Sequence, residues 1–172
     1  MPEQSNITTE RFLLRELNVN DATDRYLSWL SDESANKYIV SASNISKRKK
    51  LEEFICDKNG RKDILFYGIF DKKTGQHIGN LKYEPVNEKL GYAIMGILIG
   101  EPKYRGMGVA AEVLIASGEW LQNHRNINQI VLGVDNRNNA AIRAYKKVGF
   151  SISDTPYIQP SLGNSSMVWN LS

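Results

Sequence analysis

Between Leu90 and Val134 the chain runs through an apolar stretch, a turn with two glycines, an amphipathic helix and a β-branched stretch, an order that few folds accommodate. Leu90 to Ile99 reads as a buried strand, and Gln129 to Val134 as the strand that follows the helix. The helix is predicted from about Gly108 to Asn123, with Val109, Val113, Ile115, Ala116 and Leu121 in its buried stripe. Strand, helix, strand at this spacing implies a parallel pair joined by a right-handed crossover. The turn itself, Tyr104-Arg105-Gly106-Met107-Gly108-Val109-Ala110-Ala111, opens the helix with unhindered backbone N–H groups. Positive partial charge gathers at such a helix start, so the turn suits a phosphate or pyrophosphate, and Arg105 adds a formal charge beside it.

The rest of the chain frames this unit. Arg11 to Leu17 alternates, with Phe12 and Leu14 on one face, and reads as a first strand. Asn20 or Asp21 can cap a short helix bearing Tyr26, Leu27 and Leu30, and Ser46 a second with Leu51, Phe54 and Ile55 inward. Ile64 to Phe70 and Ile78 to Glu84 are strands joined by a turn over 71–76, and Asn87-Glu88-Lys89 leads into Leu90. The three make an antiparallel meander ahead of the crossover. Asn138 to Val148 forms a further helix ended by Gly149, and Ser166 to Leu171 a last strand. One mixed-sheet α/β domain is expected from these 172 residues.

Composition narrows the partners. With 22 basic against 19 acidic residues, bulk charge gives little reason to expect nucleic acid. No apolar run approaches the roughly 20 residues of a membrane span, and Met1 to Asn6 lacks the pattern of a secretory signal. Cys56 is the only cysteine, which excludes an intrachain disulfide and points to the cytoplasm; it is expected as a small core residue. Two histidines, His77 and His124, leave a metal site little to build on.

Several readings compete for the glycine turn. A P-loop fails for want of Gly-Lys-Ser/Thr. The dinucleotide pattern G-x-G-x-x-A is formally met by Gly106, Gly108 and Ala111. However, it normally opens a doubly wound sheet, whereas here a meander precedes it, and no acidic residue ends a strand at the expected distance. A strand-to-helix turn with no ligand also remains open.

A second block bears on the choice. Asn138-Asn139-Ala140-Ala141-Ile142-Arg143-Ala144-Tyr145-Lys146-Lys147-Val148-Gly149-Phe150 fits N-x-x-A-I-x-x-Y-x-K-x-G-F. Together with Arg105-x-x-Gly108-x-Ala110, it resembles the GNAT superfamily of acyl-CoA-dependent N-acetyltransferases. The opening Arg11-Phe12-Leu13-Leu14-Arg15, followed by Asp21 and Tyr26 to Leu30, is similar to one branch. That branch holds ribosomal-protein alanine, spermidine and nucleotide-sugar N-acetyltransferases.

The resemblance implies a single domain over 7–172, of α/β (α+β) class. Its mixed, mostly antiparallel sheet would have about seven strands, splayed between the fourth and fifth, with about four flanking helices. It implies acetyl-CoA as cosubstrate, no metal, and acetyl transfer by direct attack through a tetrahedral intermediate to a primary amine on a small molecule or peptide. An amino sugar nucleotide or a protein N-terminus leads among acceptors, a polyamine follows, and a non-catalytic acyl-CoA-binding module is the alternative. Arg105, Gly106, Met107, Gly108, Val109 and Ala110 would wrap the pyrophosphate, and Ile97, Leu98 and Ile99 would pair with the pantetheine amides. Asn138 and Ala141 would contact that arm. Tyr145 falls on the general acid, and a phenol can deliver a proton to a departing thiolate. Glu84 is the first candidate for base or substrate anchor, with Glu88 and Glu101 behind it. Tyr92 can line the acceptor cleft, and Tyr26, Trp29 and Tyr38 can floor it. Lys47 to Lys50 reads as a solvated helix start that would attract a phosphorylated acceptor if it faced the cleft. A sheet edge could pair in a homodimer.

Overall fold

The computed structural model of the chain describes residues 6–31 and 48–172. Tyr38, Ser46 and Lys47 lie outside the described residues. Strands β1 (Ile7–Thr8) and β2 (Phe12–Glu16) come first, then a 3-10 turn at Val19–Asp21 and helices α1 (Asp24–Ser31) and α2 (Arg48–Lys58). The meander is β3 (Leu65–Asp71), β4 (His77–Asn87) and β5 (Tyr92–Ile99). Helix α3 (Val109–Arg125), β6 (Gln129–Asp135), α4 (Asn139–Val148), β7 (Ser151–Ile152) and β8 (Asn164–Asn170) follow.

These strands form an 8-stranded sheet in the order β1-β2-β3-β4-β5-β6-β8-β7, antiparallel except where β5 meets β6. The mixed α/β fold expected from the sequence is therefore present. Alternation along the strands divides the core between the two faces. Leu65, Tyr67 and Ile69 of β3 pack with Val109, Val113, Leu114 and Leu121 of α3 and with the inner side of α4. Phe66 and Phe70, one residue out of phase, pack with Tyr26, Trp29 and Leu30 of α1 and Leu51 and Ile55 of α2. The sheet is thus a wall with α3 and α4 on one side and α1 and α2 on the other.

The β5–β6 contact is short. Tyr92 pairs with Gln129, Ala93 with Ile130 and Ile94 with Val131, and there the pairing stops, although β5 continues to Ile99 and β6 to Asp135. Beyond Ile94 the two strands diverge while each keeps its outer partner: β5 pairs with β4 through Leu98 and Ile99, and β6 with β8 through Asn164. The sheet is split at one end.

Two burial expectations are corrected. Ile115 is 50% exposed, because α3 turns Val113, Leu114, Ser117, Gly118 and Leu121 inward instead. Cys56 is exposed: α2 buries Leu51 and Ile55, one helical turn apart, and the next residue lies off that face. The buried side of α3 includes a glycine for a packing reason, since a Cβ on Gly118 would sit 2.6 Å from the Trp169 ring.

Candidate functional site

The split end collects the features that the sequence singled out. Because β5 and β6 run parallel, their C-terminal ends lie together, and the N-termini of α3 and α4 follow them. Ligands in α/β sheets gather at that end of the strands. Gly106 and Gly108 have φ of +72° and +77°, a left-handed backbone that glycine adopts cheaply. Gly108 is the N-cap of α3 and carries no side chain to satisfy the first turn. The backbone N–H groups of Gly106, Met107, Gly108, Val109, Ala110 and Ala111 have no acceptor among the described residues. An N–H run of this kind at a helix start is complete only with an anion or water.

The remaining predicted residues take varied places. Ile97, Leu98 and Ile99 pair with β4 on one side and have no strand partner on the side that faces β6. The Arg105 guanidinium turns back to the end of β5, Nε donating to the Ile99 carbonyl at 3.0 Å and Nη2 to that of Gly100 at 3.3 Å. Asn138 caps α4, its Oδ1 accepting from the Ala141 N–H at 3.3 Å.

Tyr145 packs on the α3–α4 side of the wall, its ring 5.8 Å from that of Phe150. Burial pushes its phenol up to about 12, and its hydroxyl has no hydrogen-bond partner among the described residues. Glu84 belongs to the other face. It accepts from Lys58 Nζ at 2.9 and 3.1 Å, and Lys82 Nζ stands 3.3 Å away. Partial burial raises its carboxyl, but the two lysines more than offset this and hold it below the usual range.

Other acidic and aromatic candidates are engaged as well. Glu88 pairs with Arg125, and Glu101 accepts from Arg25 Nη1 at 2.8 Å and Trp29 Nε1 at 3.2 Å. Tyr26 and Trp29 are buried under α1. Tyr92 stacks face to face on Tyr157, centroids 3.6 Å apart, so the segment after β7 closes against the start of β5. Arg48, Lys49 and Lys50 are exposed, and Arg48 Nη2 pairs with Asp24 at 2.9 Å.

Two arrangements escaped the sequence reading. Arg11, from the β1–β2 turn, donates through Nη2 to the Met107 carbonyl at 2.9 Å and through Nε to Glu112 Oε1 at 2.8 Å. Glu112 Oε2 also accepts from the Thr9 hydroxyl and the Arg11 N–H. The second is His77, whose Nε2 lies 2.7 Å from Asn80 Oδ1 inside a box of Phe70, Trp29 and Tyr26. The sequence pattern predicts Arg11 outward at the start of an early strand, and only the fold, which puts it in the turn before β2, brings Met107 to it.

No group of three His, Cys, Asp or Glu among the described residues could hold a metal ion, and no described helix is long and apolar enough to cross a membrane.

Comparison with known proteins agrees with this geometry. Several solved structures share the fold over nearly the whole chain. A ribosomal L7/L12 alpha-N-protein acetyltransferase, RimL, solved with coenzyme A, superposes with a TM-score of 0.82 at 13% identity, covering 97% of this chain and 98% of that one. Spermidine N-acetyltransferase from Vibrio cholerae, solved with coenzyme A and spermine, gives 0.79 at 18% identity over 93% and 95%. The microcin C7 self-immunity acetyltransferase, solved with acetyl-CoA and AMP, gives 0.79 at 13% identity over 94% and 93%. A family model described as an acetyltransferase (GNAT) domain matches residues 11–151. With that match over most of its length, the split sheet and the glycine turn at its mouth, the chain belongs to the GNAT acetyltransferase family.

Proposed function

We propose that the chain transfers an acetyl group from acetyl-CoA to a primary amine by direct attack. The observation that carries this reading is the N–H run from Gly106 to Ala111, without an acceptor, at the mouth of a sheet split beyond Ile94. The run suits a pyrophosphate. The edge of Ile97 to Ile99, which has no strand partner and whose Ile99 carbonyl is held by Arg105, suits the two amides of a pantetheine arm, which would lie there like an added strand. Asn138 and Ala141 stand at the start of α4 on the far side of the split.

The cosubstrate supplies a thioester carbonyl. The neutral amine attacks that carbonyl carbon, the C–N bond forms, and the C–S bond breaks with its electron pair on sulfur. Tyr145 is the proposed general acid. With its pKa near 12 it holds its proton at any working pH. An ordinary thiol titrates at roughly 8.5, so full transfer from the phenol is uphill and must accompany C–S cleavage. The nitrogen sheds its extra proton to solvent or to a carboxylate. Glu84 remains the proposed base or anchor; two lysine partners make its carboxylate a weak base and favour the anchoring role.

Among amines, an amino sugar on a nucleotide or a protein N-terminus leads. A polyamine would want uncompensated acid in the cleft, and Glu84 is already shared by two lysines. The lone Cys56, exposed on the α2 side, supports direct transfer without an acyl-cysteine relay and a cytoplasmic location.

Tyr145→Phe tests the assignment. We expect kcat to fall on the order of a hundredfold or more while the coenzyme A dissociation constant stays within about twofold. In the wild type, kcat/KM for the amine should climb with pH as the amine deprotonates and show no descending limb below about pH 10. Unchanged kcat in Tyr145→Phe would strip the residue of the acid role.

A further inference from the structure

We infer that Arg11 is a positioning residue for the pyrophosphate turn: it holds the Met107–Gly108 peptide so that the Gly108 N–H faces outward. The inference rests on the acetyl-CoA reading. A trans peptide places its C=O and N–H on opposite sides, so fixing one fixes the other. Arg11 Nη2 takes the Met107 carbonyl at 2.9 Å, and the N–H of the same peptide unit is the one on Gly108, which has no acceptor among the described residues. Without that tether the peptide adjoins Gly108, whose φ of +77° only glycine adopts cheaply, and it is free to turn over.

Arg11 is itself held. Glu112, in the first turn of α3, takes its Nε at 2.8 Å and its backbone N–H at 3.0 Å, and the Thr9 hydroxyl completes the carboxylate. Burial raises the Glu112 carboxyl, but the Thr9 and Arg11 hydrogen bonds prevail and hold it below the usual range, so it is a carboxylate at neutral pH. A negative charge at a helix N-terminus would compete with a bound pyrophosphate for the same positive end. Arg11 cancels that charge while using another nitrogen to aim the peptide. An arginine can do both because its fork presents several fixed donors, which a lysine does not.

The test isolates the contribution of the end of the cosubstrate that carries the pyrophosphate and nucleotide. Wild type, Arg11→Gln and Arg11→Lys are compared for coenzyme A affinity by calorimetry. They are also compared for the ratio of kcat/KM with acetyl-CoA to that with acetyl-pantetheine, which lacks the pyrophosphate and nucleotide. We expect coenzyme A to bind Arg11→Gln about tenfold more weakly and the ratio to fall by a similar factor. Arg11→Lys keeps the charge and loses the fork, so it should show the same fall in smaller measure, and it carries the test if Arg11→Gln does not fold. A ratio and an affinity unchanged in a folded variant would overturn the role of Arg11 while leaving the transferase reading intact. A wild type that binds no coenzyme A would overturn the transferase reading, and the role of Arg11 with it.

Discussion

His77 is a single buried side chain whose titration bears on the acid stability of the fold. Its ring stacks on Phe70 at 4.7 Å and meets Trp29 and Tyr26 edge-on at 4.8 and 5.7 Å. Burial lowers its pKa; the Asn80 hydrogen bond and the Asp21 charge push the other way without restoring it, and Arg15 opposes protonation too. The folded state therefore takes up the proton at lower pH than the unfolded chain, whose histidine titrates near roughly 6.5. The stability tied to neutral His77 is fully present above that pH and drains away as pH falls through the lower folded value. The melting temperature should drop as pH goes from about 7.5 to about 5.5, a window above the ordinary carboxylate range. His77→Gln keeps a donor for Asn80 and removes the titration, so its melting temperature should be lower at neutral pH and flatter across the window. A wild type with no slope there would refute a histidine kept neutral by burial.

At the scale of elements, α1 is seated by a glycine. An added Cβ on Gly100, just past β5, would lie 2.0 Å from the Trp29 ring, which is itself nearly buried. Trp29 also donates to Glu101, and Arg25 pairs with the same carboxylate, so α1 cannot slide away without breaking both. Gly100→Ala should destabilise the fold by about 1–3 kcal/mol through overpacking. At roughly 2–4 °C per kcal/mol for a domain of this size, calorimetry would register a fall of several degrees. An unchanged melting temperature would mean that α1 yields freely at this contact.

Legibility in the sequence also varied by element. β3 and β5 were readable because apolar runs between turn residues are local signals, and α4 because Asn138 and Gly149 bracket it. β1 and β7 were missed: two residues cannot display a period, and both exist only through partners, β2 and β8. Ile115 was misplaced because α3 buries Ser117 and Gly118, small residues that a hydrophobic stripe does not register. The glycine turn was legible since positive φ selects the residue type. The hold of Arg11 on Met107 and of Lys58 on Glu84 was not, because nothing local marks a contact made by the fold.

The whole molecule is two arms joined narrowly. One arm is β1 to β5 and the other β6, β8 and β7; between them run the pairs Tyr92–Gln129, Ala93–Ile130 and Ile94–Val131 and the crossover through α3. Amides past Ile94 that face the split have no strand to protect them in the free protein, so their hydrogens should exchange faster than those shared with β4. A ligand that lies along the split supplies the missing partner and ties the arms together. At 100 times its dissociation constant such a ligand adds roughly 2.7 kcal/mol to the stability of the fold. Saturating coenzyme A should therefore raise the melting temperature by several degrees and slow exchange in two places, the turn over 106–111 and the open edge of Ile97 to Ile99. The pattern discriminates between modes of binding. Protection of both segments means that the arm of the cosubstrate pairs with β5. Protection confined to the turn means that only the pyrophosphate is held and the split stays open, and the added-strand geometry proposed for the thioester would then be wrong.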